Sequence, residues 1–132
     1  MQFQEFMGQV QNKARLPSQG ETARAISATL ETLGERLTED EAQNLAAQLP
    51  AGIGDYLRLP RTNSDRFSLD EFFQRVADQE GAGVDMPQAV HHARSVCAVL
   101  QDAASRGEID NVRAQLPNEF NPLFDSGSEG QL

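Results

Sequence analysis

Apolar residues recur at three- and four-residue intervals along almost the whole chain, the spacing that lines one face of an α-helix. Phe3, Phe6, Met7, Val10 and Ala14 form a first stripe. Ala23, Ile26, Leu30, Leu33 and Leu37 form a second. Ala42, Leu45, Ala46 and Leu49 make a third, and Ile53, Tyr56 and Leu57 a short fourth. A polar stretch from Arg58 to Arg66 follows, with Pro60, Asn63 and Ser64. The pattern then restarts with Leu69, Phe72, Phe73 and Val76, followed by Val90, Ala93, Cys97, Leu100 and Ala104. Ile109, Val112 and Leu116 come next, and Phe120, Leu123 and Phe124 close the set. None of these runs shows the two-residue alternation of a half-buried strand. The pattern predicts an all-α chain of about eight helices.

Helix starts are marked independently of the stripes. A Ser or Thr followed three residues later by Glu can satisfy two otherwise unpaired N–H groups reciprocally. That pairing stands at Ser18/Glu21, Thr38/Glu41, Ser68/Glu71 and Ser105/Glu108, each opening an apolar run. Phe67 and Phe72 bracket the Ser68 start at the spacing of a hydrophobic staple. Asp85 can cap the sixth helix, with Pro87 in its first turn, where a missing N–H has no consequence. Pro50 and Pro117 stop the third and seventh helices.

Shifting the sequence by 67 lays one half on the other. Leu33 falls on Leu100, Glu41 on Glu108 and Asn44 on Asn111, and Ala47-Gln48-Leu49-Pro50 falls on Ala114-Gln115-Leu116-Pro117. At the front the shift is 66, placing Glu5-Phe6 on Glu71-Phe72 and Val10 on Val76, so the second half carries one extra residue between Glu80 and Asp85. The expected organisation is a single domain, residues 1–124, built from two similar four-helix repeats that share a core. Repeat one covers 1–57, a linker 58–66 and repeat two 67–124. Residues 125–132 are expected to form a flexible tail.

These residues resemble a bacterial domain-of-unknown-function family, number 2267. The likeness rests on Glu5-Phe6 with Val10, on Leu33-Gly34-Glu35-Arg36-Leu37 and on Leu45-Ala46-Ala47-Gln48-Leu49-Pro50. In the second half it rests on Phe67 to Val76 and on Val112-Arg113-Ala114-Gln115-Leu116-Pro117. The resemblance covers about residues 1 to 124. It implies an all-helical bacterial domain and transfers no catalytic or binding residue.

Composition narrows the function classes. In 132 residues there are 11 Lys+Arg against 20 Asp+Glu, a formal charge of −9. The imbalance is concentrated late: residues 67–132 hold 4 basic and 11 acidic side chains. Phosphate-backbone binding needs clustered Lys and Arg, so nucleic acid is not an expected partner. No apolar run approaches the ~18 residues of a membrane span. One Cys excludes an internal disulfide, and the N-terminus lacks the charge-then-apolar order of a secretory signal, so a cytoplasmic setting is expected.

Candidate chemistry is sparse. His91 and His92 are the only histidines and the only metal candidates, but neighbouring residues on a helix point about 100° apart rather than at one ion. Both are expected at the surface. Cys97 falls in a core stripe without a nearby base and reads as an inert small hydrophobe. Glu39-Asp40-Glu41 reads as a solvated first turn, where negative charge meets the helix dipole favourably. The Asp78, Glu80 and Asp85 group around Gly81 and Gly83 departs from the calcium-loop pattern, and no strand precedes those glycines as a dinucleotide site requires. Gln48 and Gln115 recur at equivalent helix ends, as termination chemistry beside Pro or as a symmetric contact surface. No catalytic residue, cofactor or metal is expected. The chain reads as a non-enzymatic module that binds a protein partner or itself; the alternative is a small-ligand or metal-binding helical domain.

Overall fold

The computed structural model describes residues 1–60, 62–81 and 83–125. Among them are eight α-helices and one 3-10 turn, with no strand: α1 (Phe3–Ala14), α2 (Gln19–Arg36), α3 (Glu39–Gln48), α4 (Asp55–Arg58), α5 (Leu69–Glu80), α6 (Met86–Ala103), α7 (Arg106–Ala114) and α8 (Asn121–Phe124), with the 3-10 turn at Asn118–Phe120 leading into α8. The all-α class is as the hydrophobic spacing predicts. The expected tail falls on 126–132, outside the described residues, apart from Asp125.

The four expected Ser and Thr starts all hold. Ser18, Thr38, Ser68 and Ser105 each accept the N–H of the residue three further on, at 3.1–3.2 Å. The reciprocal half is made at none of them, and among the described residues only Asp85 and Gln88 form a complete box. At two starts a side chain from elsewhere replaces it. Thr38 N–H donates to Gln115 Oε1 at 3.2 Å, and Ser105 N–H donates to Gln48 Oε1 at 2.7 Å. The two glutamines therefore reach across between the ends of α3 and α7, each covering the other helix's start.

The two 18-residue helices, α2 and α6, pack on each other at the centre. α1 packs on both α2 and α6, and α5 on both α6 and α2. α4 lies on α2 and α3, α8 on α6, and α3 on α7. One continuous apolar core results, running from Phe6 to Phe124. Because α2 is covered on several sides, even Thr22, Thr29 and Thr32 are fully buried. Two of these hydroxyls satisfy themselves locally, Thr22 on Ser18 O at 2.8 Å and Thr32 on Ala28 O at 2.7 Å. A narrow apolar stripe does not foresee that depth of burial. Phe3, placed on the first stripe, is instead 38% exposed at the helix start.

The segment between α4 and α5 is tied down rather than loose. Asn63 donates to Gly34 O, Ser64 N–H to Leu37 O and Asp65 N–H to Glu35 O, at 2.7, 2.9 and 3.0 Å. Arg75 on α5 then binds Glu35, Asp65 and Glu71 and stacks 3.8 Å from the centre of the Phe67 ring. Phe67 and Phe72 lie 6.3 Å apart across the Ser68 start, as the staple spacing requires.

Two glycines are needed for close backbone approach. A Cβ at Gly34 would lie 2.5 Å from Leu57 O and 3.1 Å from the Pro60 ring, and one at Gly54 would collide with the Ala46 carbonyl. Gly8, by contrast, faces open space on α1. Gly34→Ala and Gly54→Ala should each lower unfolding stability by about 1–3 kcal/mol. Gly8→Ala should raise it by about 0.5–1 kcal/mol by removing backbone freedom from the unfolded chain. Urea unfolding midpoints at constant slope check both signs.

Candidate functional site

A groove of about 670 Å³ opens where the end of α1 and the start of α2 face the α5–α6 turn. Its walls include Arg15, Leu16, Glu21, Arg24, Val84 and Gln88, with Glu80, His91 and His92. The local folding is simple. α1 ends at Arg15, which takes the left-handed conformation at φ 55° and reverses the chain toward Ser18. α5 ends at Gly81, which takes φ 59°, and α6 starts from the Asp85 box.

Inside the groove the two histidines behave differently. His91 is exposed, as expected. His92 is only 8% exposed, so its expected surface position is corrected: it turns inward, and its Nδ1 lies 2.8 Å from Oε2 of Glu80. Glu80 is itself 4% exposed, and its second oxygen is buried with no hydrogen-bond partner among the described residues. The physical reason is helix position. His92 flanks the apolar stripe of α6, and α5 packs along that flank and delivers Glu80 from its last residue. Periodicity gives the flank, but the pairing across two helices needs the packing. The carboxylate holds Nδ1, which leaves Nε2 as the ring nitrogen available to another group.

The rings of His91 and His92 are 6.2 Å apart and tilted by 50°. Among the described residues no cluster of three or more His, Cys, Asp or Glu side chains could hold a metal ion. Cys97 is fully buried on α6, and loss of hydration pushes its thiol up to about 12, so it stays protonated and unreactive in the folded chain.

A second pair of buried acids lies apart from the groove. Glu39 and Asp40 are exposed at the start of α3, as expected, but Glu41 is 8% exposed, and the expectation of a fully solvated turn is corrected there. It faces Glu108, 7% exposed on α7, because the capped first turns of α3 and α7 pack together. Burial first, then the neighbouring Glu41 carboxyl, push Glu108 up to about 7. Overlaying the two halves of the sequence pairs these positions without showing that they touch.

No helix among the described residues is long and apolar enough to cross a membrane. The sequence matches, over residues 3–123, the profile of a family described as an uncharacterized conserved protein, DUF2267. The chain belongs to that family. Comparison with curated proteins finds no match.

The Glu80–His92 pair gives a direct test of what burial does here. Removing one member strands the other in a poorly hydrated site, so His92→Ala should lower stability by about 3–5 kcal/mol. Replacing both with Leu should be far less damaging, because no unpaired polar group remains. A double-mutant cycle by urea unfolding measures the difference.

Proposed function

We propose that the chain is a non-enzymatic binding domain whose groove beside α6 holds a small ligand carrying an oxyanion. The observation that carries this reading is the buried Glu80–His92 pair lining a groove that also presents Arg15 and Arg24. In a strongly acidic chain, three other arginines are already committed: Arg58, Arg75 and Arg113 each hold a carboxylate. Arg15 and Arg24 have no carboxylate within ion-pair distance among the described residues. A guanidinium pair in a concavity suits a phosphate, sulfate or carboxylate group. Glu21, on the same wall, belongs to the first turn of α2, where the helix dipole already offsets its charge. With both ring nitrogens protonated, His92 would give Nδ1–H to Glu80, offsetting that carboxylate's charge, and donate Nε2–H to the anion.

The alternative of a protein-interaction or self-association module draws less support from the surface. The large apolar side chains most exposed among the described residues are Met1, Phe3, Leu59 and Met86, and they sit at element ends rather than along one helix face. A docking face of several hundred Å² would need them contiguous. The buried, strongly protonated Cys97 supports a non-enzymatic role, and an unpaired thiol suits the reducing cytoplasm.

We also propose that the architecture is a doubled four-helix unit, residues 1–57 and 67–124 joined by 58–66. Helix limits support it. α5 (Leu69–Glu80) begins and ends 66 positions after α1 (Phe3–Ala14), and α6 (Met86–Ala103) begins and ends 67 positions after α2 (Gln19–Arg36). In this register Glu80 and His92 correspond to Ala14 and Ala25, both buried. The first unit thus carries two small apolar residues at the positions where the second holds an ionisable pair.

Inorganic sulfate, which carries a fixed charge near neutral pH, is the probe. Titration should give saturable shifts of the His91 and His92 ring signals by NMR. Arg24→Gln and Arg15→Gln should each weaken binding by about tenfold, the loss of one charge-assisted contact. Val84→Trp should abolish it by filling the groove. Shifts that never saturate, or that survive both arginine substitutions, would overturn the reading; inorganic phosphate and acetate, run alongside, distinguish tetrahedral from planar anions.

A further inference from the structure

We infer that Glu41 and Glu108 share one proton in the folded chain, and that this proton fastens α3 to α7. The two side chains come from equivalent positions of packed helices and lie within hydrogen-bonding reach of each other. Each is more than nine-tenths buried, and each has its Oε2 atom buried with no partner among the described residues. Two carboxylates cannot sit in contact in such a place, because their repulsion adds to the loss of hydration of both. One proton resolves it: the protonated carboxyl donates O–H to the other's oxygen, and one negative charge remains.

Among the described residues no cation is placed to do the same work. Gln115 Nε2 approaches Glu41 Oε1 at 3.5 Å, and the Asn111 amide contacts Glu108; both are neutral. Charged groups on the elements packed against the pair are directed elsewhere. Arg36 at the end of α2 donates to Phe67 O, and Arg58 on α4 is taken by Gln43 and Asp55. On the two helices themselves, Glu39, Asp40, Arg106 and Asp110 are exposed, and Arg113 pairs with Asp125. The same seam carries the crossed bonds Thr38–Gln115 and Ser105–Gln48, so whatever loosens the acid pair loosens both helix starts.

The direction of the pH effect follows. The closed seam holds the Glu108 proton up to about 7, whereas an opened one releases it near the ordinary value of 4.5. The closed form therefore binds more protons, and opening becomes easier as pH rises between those values, by up to tenfold per pH unit for one proton, and then levels off.

Carboxyl ¹³C NMR across pH 3–9 tests this on the intact chain. Both glutamate signals should respond to one common step near neutrality, and Glu41→Gln should lower the Glu108 step by the part its neighbour contributes, leaving the part that burial alone raises. Amide exchange at Thr38 and Ser105, corrected for the intrinsic pH dependence, should report seam opening that rises with pH in the native chain. It should become flat in Glu108→Gln, whose amide donates at every pH. Two independent steps near the ordinary value would overturn the shared proton. So would a Glu108 step unmoved by Glu41→Gln, or magnesium or calcium shifting both signals in place of a proton. Should either single variant fold poorly, the native chain's carboxyl titration decides alone.

Discussion

Packing of α2 against α6 is the contact on which the rest of the molecule is arranged. Both helices are 18 residues long and both are buried over much of their circumference. Covering them consumes the apolar faces of α1, α5, α4 and α8. At 20–33 cal/mol per Å² of apolar surface removed from water, this burial is the main force set against chain entropy. It also dictates which polar groups end up inside. Thr29, Thr32, Glu80 and His92 are internal because they ride on or against helices covered over much of their circumference.

Much of the fold is legible in the sequence because helix spacing, Ser and Thr starts and Pro stops are local signals, each with its own physical cause. The stripe Leu69, Phe72, Phe73 and Val76 points to a helix, and Ser68 marks its start to the residue. Other features depend on contacts between distant segments, which spacing cannot supply. Glu41 reads as one of three solvated acids, since only the packing of α3 on α7 takes it away from its neighbours Glu39 and Asp40. His92 reads as a surface residue, since only the end of α5 brings Glu80 to it. Gln48 and Gln115 carry a visible signal in their recurrence, and it points to a symmetric contact as one of two readings. Their actual partners are the N–H groups at Ser105 and Thr38, roles that the sequence pattern assigns to Glu side chains.

The candidate site therefore arises where the two long helices' partners meet rather than from a compact motif. Arg15 enters it through a left-handed helix end, Arg24 from the second turn of α2, and His92 from the flank of α6. These residues are far apart in sequence, and none is unusual by itself. What sets them apart is the buried ionisable pair that closes the inner end of the groove.

The crosswise seating of α1 on α6 and of α5 on α2 has a mechanical corollary. Neither stretch keeps a private interior: each closes its neighbour's as well as its own. Melting cannot begin in one and spare the other, so unfolding is expected to pass through a single cooperative step. A bulkier side chain accepted in α1 must likewise find its room in α6. Sequence change in one stretch is thereby tethered to the other.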